Sequence, residues 1–208
     1  MPPPQRLTPG AANHSPLRRN GKGRAMRMLT RFALAFCIMA GAACSDQAKV
    51  GGGADSNTLV IETKHGKVLI KLRPDLAPKH VERVKTLAKE GFYDGQKFHR
   101  VIGGFMAQTG DPSGTGTGGS NYPDLPAEFS QEPFKRGTVG AARTADPNSA
   151  NSQFFICFDD NGCSSLNGQY TIWGEVIEGM DNVDKIAKGE PPVMPDVMEK
   201  VYVKSDAK

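Results

Sequence analysis

Between residues 59 and 72 the pattern of apolar and polar positions predicts a β-hairpin. Residues 59–63 are rich in branched apolar side chains, which is typical of a strand. Gly66, after a histidine, suits a tight turn, and the following apolar positions return at every second residue. These positions are Val68, Ile70 and Leu72. The hairpin therefore has one face that points towards a core.

A different spacing predicts two helices. After Pro78, which suits the first turn of a helix, apolar side chains recur at helical intervals as far as Gly91, a natural stop. They are Val81, Val84, Leu87 and Ala88. A second, short helix is predicted after Gly179, with apolar positions at Met180, Val183, Ile186 and Ala187.

Further short strands are predicted along the second half of the chain. They lie within residues 98–109, which hold two strands, and within residues 137–142, 152–158, 170–176 and 197–205. With the hairpin this makes eight strands and two helices. The pattern predicts a mainly β fold, a closed eight-stranded antiparallel β-barrel capped by two α-helices.

The first 44 residues have a different character. Residues 1–25 are polar, and we interpret them as disordered or as a stretch upstream of the true start, since Met26 or Met28 would serve. A basic stretch then leads into apolar residues 32–40 and ends in small residues, which is the layout of an export signal. The apolar run is too short to span a membrane.

The end of this leader, Gly-Ala-Ala-Cys44, resembles a bacterial lipoprotein cleavage box, although Gly41 stands where Leu or Val is usual. The resemblance implies that Cys44 becomes the lipidated first residue, which would place the protein in the cell envelope on the periplasmic side. The alternatives are a soluble periplasmic protein with an ordinary cleaved signal, an uncleaved anchor, or no export. Residues 45–57 are predicted to form a flexible tether.

Charge excludes one class of partner. The net charge of +4 comes from the leader, which carries seven Lys and Arg and no Asp or Glu. The rest of the chain holds 19 basic and 22 acidic side chains, so we expect no nucleic-acid binding. Contact with a membrane is expected only through an N-terminal lipid.

Neither a metal nor a cofactor is expected. The glycine-rich stretch of residues 114–119 fits a dinucleotide fingerprint on paper, but no helix can follow it. Cys157 and Cys163 do not have zinc-site spacing, and they either form a disulfide or remain free thiols. They are the only support for a redox enzyme, and Ser152 lacks the context of a hydrolase nucleophile.

The most informative stretch is residues 98–119. It places Arg100 beside the apolar pair Phe105 and Met106, followed by the amide of Gln108 and the glycine-rich turn. Together with SQFFICF at residues 152–158, it resembles cyclophilin-type peptidyl-prolyl isomerases over residues 58–205. The same barrel fold is implied by this resemblance.

The resemblance implies that Arg100 is catalytic and that the protein isomerises X–Pro bonds in proline-containing polypeptides. We expect the protein to be a monomer. The alternative is a non-catalytic proline-peptide-binding chaperone on the same scaffold. The implied proline pocket consists of Phe105, Met106, Phe155, Leu166 and Tyr170. The other implied substrate contacts are His99 at the rim, Gln108, Gln153, and the main chain of Ala142, Arg143 and Thr144.

Two departures from the eukaryotic members concern the cyclic peptide drug cyclosporin. The segment 158–166 is two residues longer, and Ser165 stands where those members carry Trp. Tyr170 replaces a His. A serine offers neither an indole donor nor a large apolar face, so we expect weak cyclosporin binding with isomerase activity retained.

Overall fold

The computed structural model describes residues 55–207, and the predicted leader, the lipidation site Cys44 and most of the predicted tether lie outside them. Eight strands are present: β1 (Thr58–Thr63), β2 (Gly66–Leu72), β3 (Arg100–Ile102), β4 (Met106–Thr109), β5 (Thr138–Ala141), β6 (Phe154–Cys157), β7 (Ile172–Glu178) and β8 (Lys200–Val203). The helices are α1 (Pro78–Lys89), α2 (Asp160–Cys163) and α3 (Met180–Asp184). Two 3₁₀ turns lie at Ser164–Leu166 and Lys204–Asp206.

The strands form one antiparallel sheet in the order β3-β4-β6-β5-β7-β2-β1-β8. The predicted mainly β, eight-stranded antiparallel architecture is therefore confirmed. The two predicted helices correspond to α1 and α3, and α2 is an additional single turn.

The predicted closure of the barrel is wrong, because β3 and β8 are edge strands that do not pair with each other. The backbone of residues 189–197 does not form a ladder with β3. It makes isolated bridges, Val101 with Gly189 and, before β3, Lys97 with Val197. This segment holds three prolines, which donate no N–H to a ladder. The sheet is a half-barrel.

The larger of two apolar clusters among the described residues packs strands of the sheet against helix α1. Trp173 of β7 is 1% exposed and meets Phe154 of β6 edge to face, with ring centroids 5.3 Å apart. Helix α1 buries Val81, Val84 and Leu87, the positions that the helical spacing selected. Burying each such side chain contributes about 1.5–3 kcal/mol, so this face of α1 holds the helix in the core.

The start of α1 is held by a residue distant in sequence. Glu128 accepts hydrogen bonds from the backbone N–H groups of Lys79 (3.2 Å) and His80 (3.1 Å), and its carboxylate lies 2.6 Å from His80 Nδ1. Burial lowers the pKa of His80, against the opposing effect of the Glu128 carboxylate. A negative charge at a helix N-terminus is favourable, so Glu128 replaces the missing local cap.

Cys157 at the end of β6 and Cys163 at the end of α2 form a disulfide, which decides between the two possibilities that the sequence left open. Gly162 in α2 lies so close to the chain at Gly104 that a Cβ there would overlap the Gly104 carbonyl oxygen. The disulfide and this close contact together hold α2 against the β3–β4 turn. Within residues 55–207, no helix has the length and apolar content needed to cross a membrane.

Candidate active site

Strand pairing places three predicted site residues in one row. Arg100 of β3 lies opposite Gln108 of β4, and Gln108 lies opposite Phe155 of β6. Phe155 is in turn opposite Gly140 of β5, where a Cβ would lie only 2.6 Å from the Phe155 ring. Since directly paired residues share a face of the sheet, the guanidinium, the amide and the aromatic ring lie side by side. Gly140 leaves the space that the ring occupies.

This row borders a small pocket of about 130 Å³, here called the apolar pocket. Met106 (1% exposed) and Phe155 (4%) are buried, whereas the other apolar side chains are partly exposed. Phe134, which the sequence analysis did not select, stacks against Phe155 at a centroid distance of 5.8 Å. The lining consists of nine of the twelve predicted site residues: Arg100, Phe105, Met106, Gln108, Ala142, Arg143, Phe155, Leu166 and Tyr170.

Arg100 is one of the two cationic side chains that line this pocket, the other being Arg143, and 41% of the Arg100 side-chain surface is accessible. Its Nε donates a hydrogen bond to Glu190 Oε2 at 3.1 Å. Glu190 was not predicted, because it lies 90 residues away in a proline-rich segment that carries no motif. A guanidinium has five N–H donors, so this contact leaves the Nη groups available to a ligand.

A larger pocket of about 450 Å³, here called the polar pocket, adjoins the apolar one. The two share Gln108, Ala142 and Arg143, while the predicted residues Thr144 and Gln153 line only the polar pocket. Its remaining lining residues, which the sequence analysis did not select, are Gly116, Thr117, Gly118, Gly119, Ser120, Asp124, Ser149 and Asn151.

A relay of hydrogen bonds joins the two pockets. Gln108 Nε2 donates to Gln153 Oε1 at 2.9 Å, and Gln153 Nε2 donates to the carbonyl oxygens of Gly116 (3.0 Å) and Gly118 (2.8 Å). The glycine-rich loop, which fitted a nucleotide fingerprint on paper, is thus a wall of the polar pocket. Gln108 is oriented by the same bonds.

Only the main chain of Arg143 was predicted to contact the substrate, but its side chain also makes several contacts within the protein. Its guanidinium carbon lies 4.3 Å from the centroid of the Tyr170 ring. Nη2 donates to the carbonyl oxygen of Gln169 (2.9 Å), and Nη1 donates to that of Thr144 (2.8 Å). The side chain therefore connects the loop after β5 to the loop before β7 at the rim of both pockets.

His99 differs from expectation. It was predicted at the rim, but it is only 6% exposed and lines neither pocket. Its ring lies under the glycine-rich loop, where a Cβ on Gly116 would be 3.5 Å from the imidazole. Burial lowers its pKa, with Asp111 opposing the shift. Direct contact of His99 with a substrate is therefore not supported by its position.

The comparisons with known proteins agree with this geometry. Residues 58–205 match the model of the cyclophilin type peptidyl-prolyl cis-trans isomerase family. A probable peptidyl-prolyl cis-trans isomerase of Brucella suis is 56% identical over 168 residues, covering 73% of this chain and 85% of that protein. Peptidyl-prolyl cis-trans isomerase B of Escherichia coli is 38% identical over 144 residues, covering 62% and 82%.

Solved structures give the same result. A cyclophilin from Hirschia baltica superposes with a TM-score of 0.68 at 30% identity, covering 74% of this chain and 76% of its own. A cyclophilin type isomerase from Cryptosporidium parvum, crystallised in the presence of the dipeptide Ala-Pro, gives 0.65 at 29% identity, covering 70% and 98%. The chain belongs to the cyclophilin-type peptidyl-prolyl cis-trans isomerases, the family whose activity its guanidinium, amide and apolar pocket suit.

Proposed function

We propose that Arg100 is the catalytic residue and that it acts on the nitrogen of an X–Pro bond. Rotation about this bond is slow because amide resonance must be broken, at a barrier of roughly 18–20 kcal/mol. When the bond twists, the nitrogen becomes pyramidal and its lone pair can accept a hydrogen bond. A guanidinium N–H binds this twisted form and not the planar one, so the contact stabilises the transition state selectively.

In this proposal the apolar pocket holds the proline ring in place while the peptide on the other side of the bond rotates. The apolar pocket suits a single pyrrolidine ring, and the adjoining polar pocket suits the peptide on the other side of the bond. Gln108, Ala142 and Arg143, which line both pockets, lie where the peptide would pass between them. The observation that carries the proposal is the row of Arg100, Gln108 and Phe155 beside the pocket.

The test is the isomerisation rate of an X–Pro peptide by NMR exchange or a protease-coupled assay. Arg100→Ala should lower kcat/KM by about 10²–10³-fold, as loss of one preorganised donor does in other enzymes. Peptide affinity should change much less, because the contact forms mainly in the transition state. Arg73→Ala removes another ion-paired arginine, bonded to Asp75, and should leave the rate unchanged.

Two other results would contradict the proposal. Equal losses of rate and affinity in Arg100→Ala would mean that Arg100 binds the ground state and the transition state alike. A folded wild-type protein that binds the peptide but gives no rate above background would favour the non-catalytic chaperone.

We further propose that the enzyme acts on proline-containing segments of envelope proteins on the periplasmic side, held there by a lipid on Cys44. The support is the leader, whose basic, apolar and small-residue parts end at this cysteine. Mass spectrometry of the mature N-terminus in a bacterial host should find Cys44 as the first residue, carrying a lipid. Cys44→Ser should abolish the lipid, whereas Cys37→Ser, inside the leader, should not. A mature protein that begins elsewhere, or without a lipid, would contradict it.

A further inference from the structure

Glu190 is the one side chain that holds Arg100 within residues 55–207. Its Oε2 accepts the Arg100 Nε–H at 3.1 Å, and no other hydrogen bond of the Arg100 side chain is found among the described residues. Both side chains are about half exposed, at 41% and 51%. The ion pair is therefore exposed to solvent, and it lies at the edge of the apolar pocket that Arg100 lines.

The backbone next to Glu190 is fixed against the strand that carries Arg100. Gly189 donates its N–H to the Val101 carbonyl oxygen and accepts the Val101 N–H, both at 2.8 Å. These reciprocal bonds tie residue 189 to residue 101, so residue 190 lies beside residue 100. Gly189 has a φ of +150°, and a Cβ on it would lie 2.6 Å from Pro192 Cα, so the start of this loop needs a glycine.

The other end of the segment is fixed as well. The buried Asp196 accepts a hydrogen bond from the Ala187 N–H at 2.8 Å, and the N–H of Phe98 donates to the Asp196 carbonyl oxygen at 2.9 Å. Residues 190–195 thus form a loop closed at both ends, whose tip, Val193 and Met194, is exposed. The hydrogen bonds at both ends of the loop therefore fix the backbone position of Glu190.

An arginine side chain that is half exposed has several rotatable bonds and must be ordered before it can act. A carboxylate on Nε restricts the guanidinium plane while leaving Nη1 and Nη2 free to donate. We propose that Glu190 is a positioning residue that preorients the Arg100 guanidinium for catalysis. This inference rests on the proposed catalytic role of Arg100.

The experiment compares Glu190→Ala and Glu190→Gln with the wild type, using Arg100→Ala as reference and Met194→Ala, at the exposed tip of the same loop, as matched control. Isomerase kcat and KM are measured on one X–Pro peptide. The Arg100 Nε–Hε signal is followed by ¹⁵N NMR, which reports the order of the guanidinium without relying on activity.

We expect Glu190→Ala to lower kcat about threefold to fivefold, the scale of one solvent-exposed ion pair, with KM nearly unchanged. Glu190→Gln, whose amide oxygen still accepts from Nε, should recover most of this loss. The Nε–Hε signal should broaden or shift towards its solvent-exposed position in Glu190→Ala only. Met194→Ala should match the wild type in both measurements.

Two failures are distinguishable. Full activity and an unchanged Nε–Hε signal in Glu190→Ala, while Arg100→Ala is inactive, would overturn the role of Glu190 and leave that of Arg100 intact. Full activity in Arg100→Ala would overturn both. Equal losses in Glu190→Ala and Met194→Ala would also refute the inference, because the cause would then be disturbance of the loop.

Discussion

Asp111→Asn tests how the glycine-rich wall of the polar pocket is held together. Asp111 follows β4 and is 1% exposed. Its Oδ2 accepts the N–H groups of Thr115 (3.1 Å), Gly116 (2.6 Å) and Gly118 (3.1 Å), and its Oδ1 accepts the N–H and the hydroxyl of Ser113, both at 2.7 Å. One carboxylate therefore organises the whole loop.

The magnitude follows from these five bonds. An asparagine has one oxygen, which can retain the three bonds now made to Oδ2. Its NH₂ group would then face Ser113, whose hydroxyl can turn to accept from it but whose backbone N–H cannot. The backbone bond is therefore lost, and two N–H donors meet. At about 1–3 kcal/mol for each unsatisfied buried group, we expect the free energy of unfolding to fall by about 3 kcal/mol at pH 7.

The effect should depend on pH. Burial taken alone would raise the pKa of Asp111, but the hydrogen bonds from Ser113, Gly118 and Gly116 outweigh burial and hold the pKa well below its usual value of 3.8. A carboxyl group with a lowered folded pKa stabilises the fold above its unfolded pKa, and this stabilisation is lost as the pH falls towards the folded value. The difference between wild type and Asp111→Asn should therefore shrink below about pH 4.

Urea unfolding at pH 7 and pH 3 measures both effects. Asp146→Asn is the matched control, because Asp146 is exposed and accepts only the Asn148 N–H through its side chain, a bond that an asparagine can keep. This control should change stability by less than about 0.5 kcal/mol. The argument would be refuted if Asp111→Asn lowered the free energy of unfolding by a similarly small amount at pH 7, or if its difference from the wild type grew as the pH falls.

Two further predictions concern the segment after β6. Replacing Cys157 and Cys163 together by alanine should lower the free energy of unfolding by about 2 kcal/mol, the chain-entropy value for so short a loop. Urea unfolding curves with and without a reductant measure this. A wild-type protein whose stability is unaffected by reduction would contradict the prediction. Cyclosporin should bind weakly to the wild type. Ser165→Trp should lower the Kd for cyclosporin about tenfold or more by supplying an aromatic ring and an N–H donor. Calorimetry measures both Kd values, and a wild type that binds as tightly as Ser165→Trp would contradict the prediction.

The candidate site was predictable where its residues lie in compact motifs. Arg100, Phe105 and Gln108 lie within nine residues of each other, and a hairpin brings them together whatever the rest of the chain does. Phe155, from the second motif, pairs with Gln108 in the adjacent strand. The resemblance identified these residues, and the register of three strands shows why they meet.

Residues that act through long-range contacts were not predictable in the same way. Glu190 meets Arg100 across 90 residues, and Glu128 caps α1 from 48 residues away. Neither lies in a motif, and a lone glutamate in a proline-rich segment is usually solvated. In the fold, however, the Glu128 side chain is only 14% exposed. His99 was misplaced for a related reason, since only the folded loop over it decides that it is buried.

By itself, the sequence determined the eight strands and the helices α1 and α3, because strand alternation and helical spacing are local properties. Its short motifs also predicted the residues that line the apolar pocket. Only the tertiary structure decided that the sheet stays open between β3 and β8, that Cys157 is joined to Cys163, and that Glu190 holds Arg100. Each of these depends on which distant segments pack against each other. That outcome is set by the burial of the whole apolar core, which no single stretch of sequence contains.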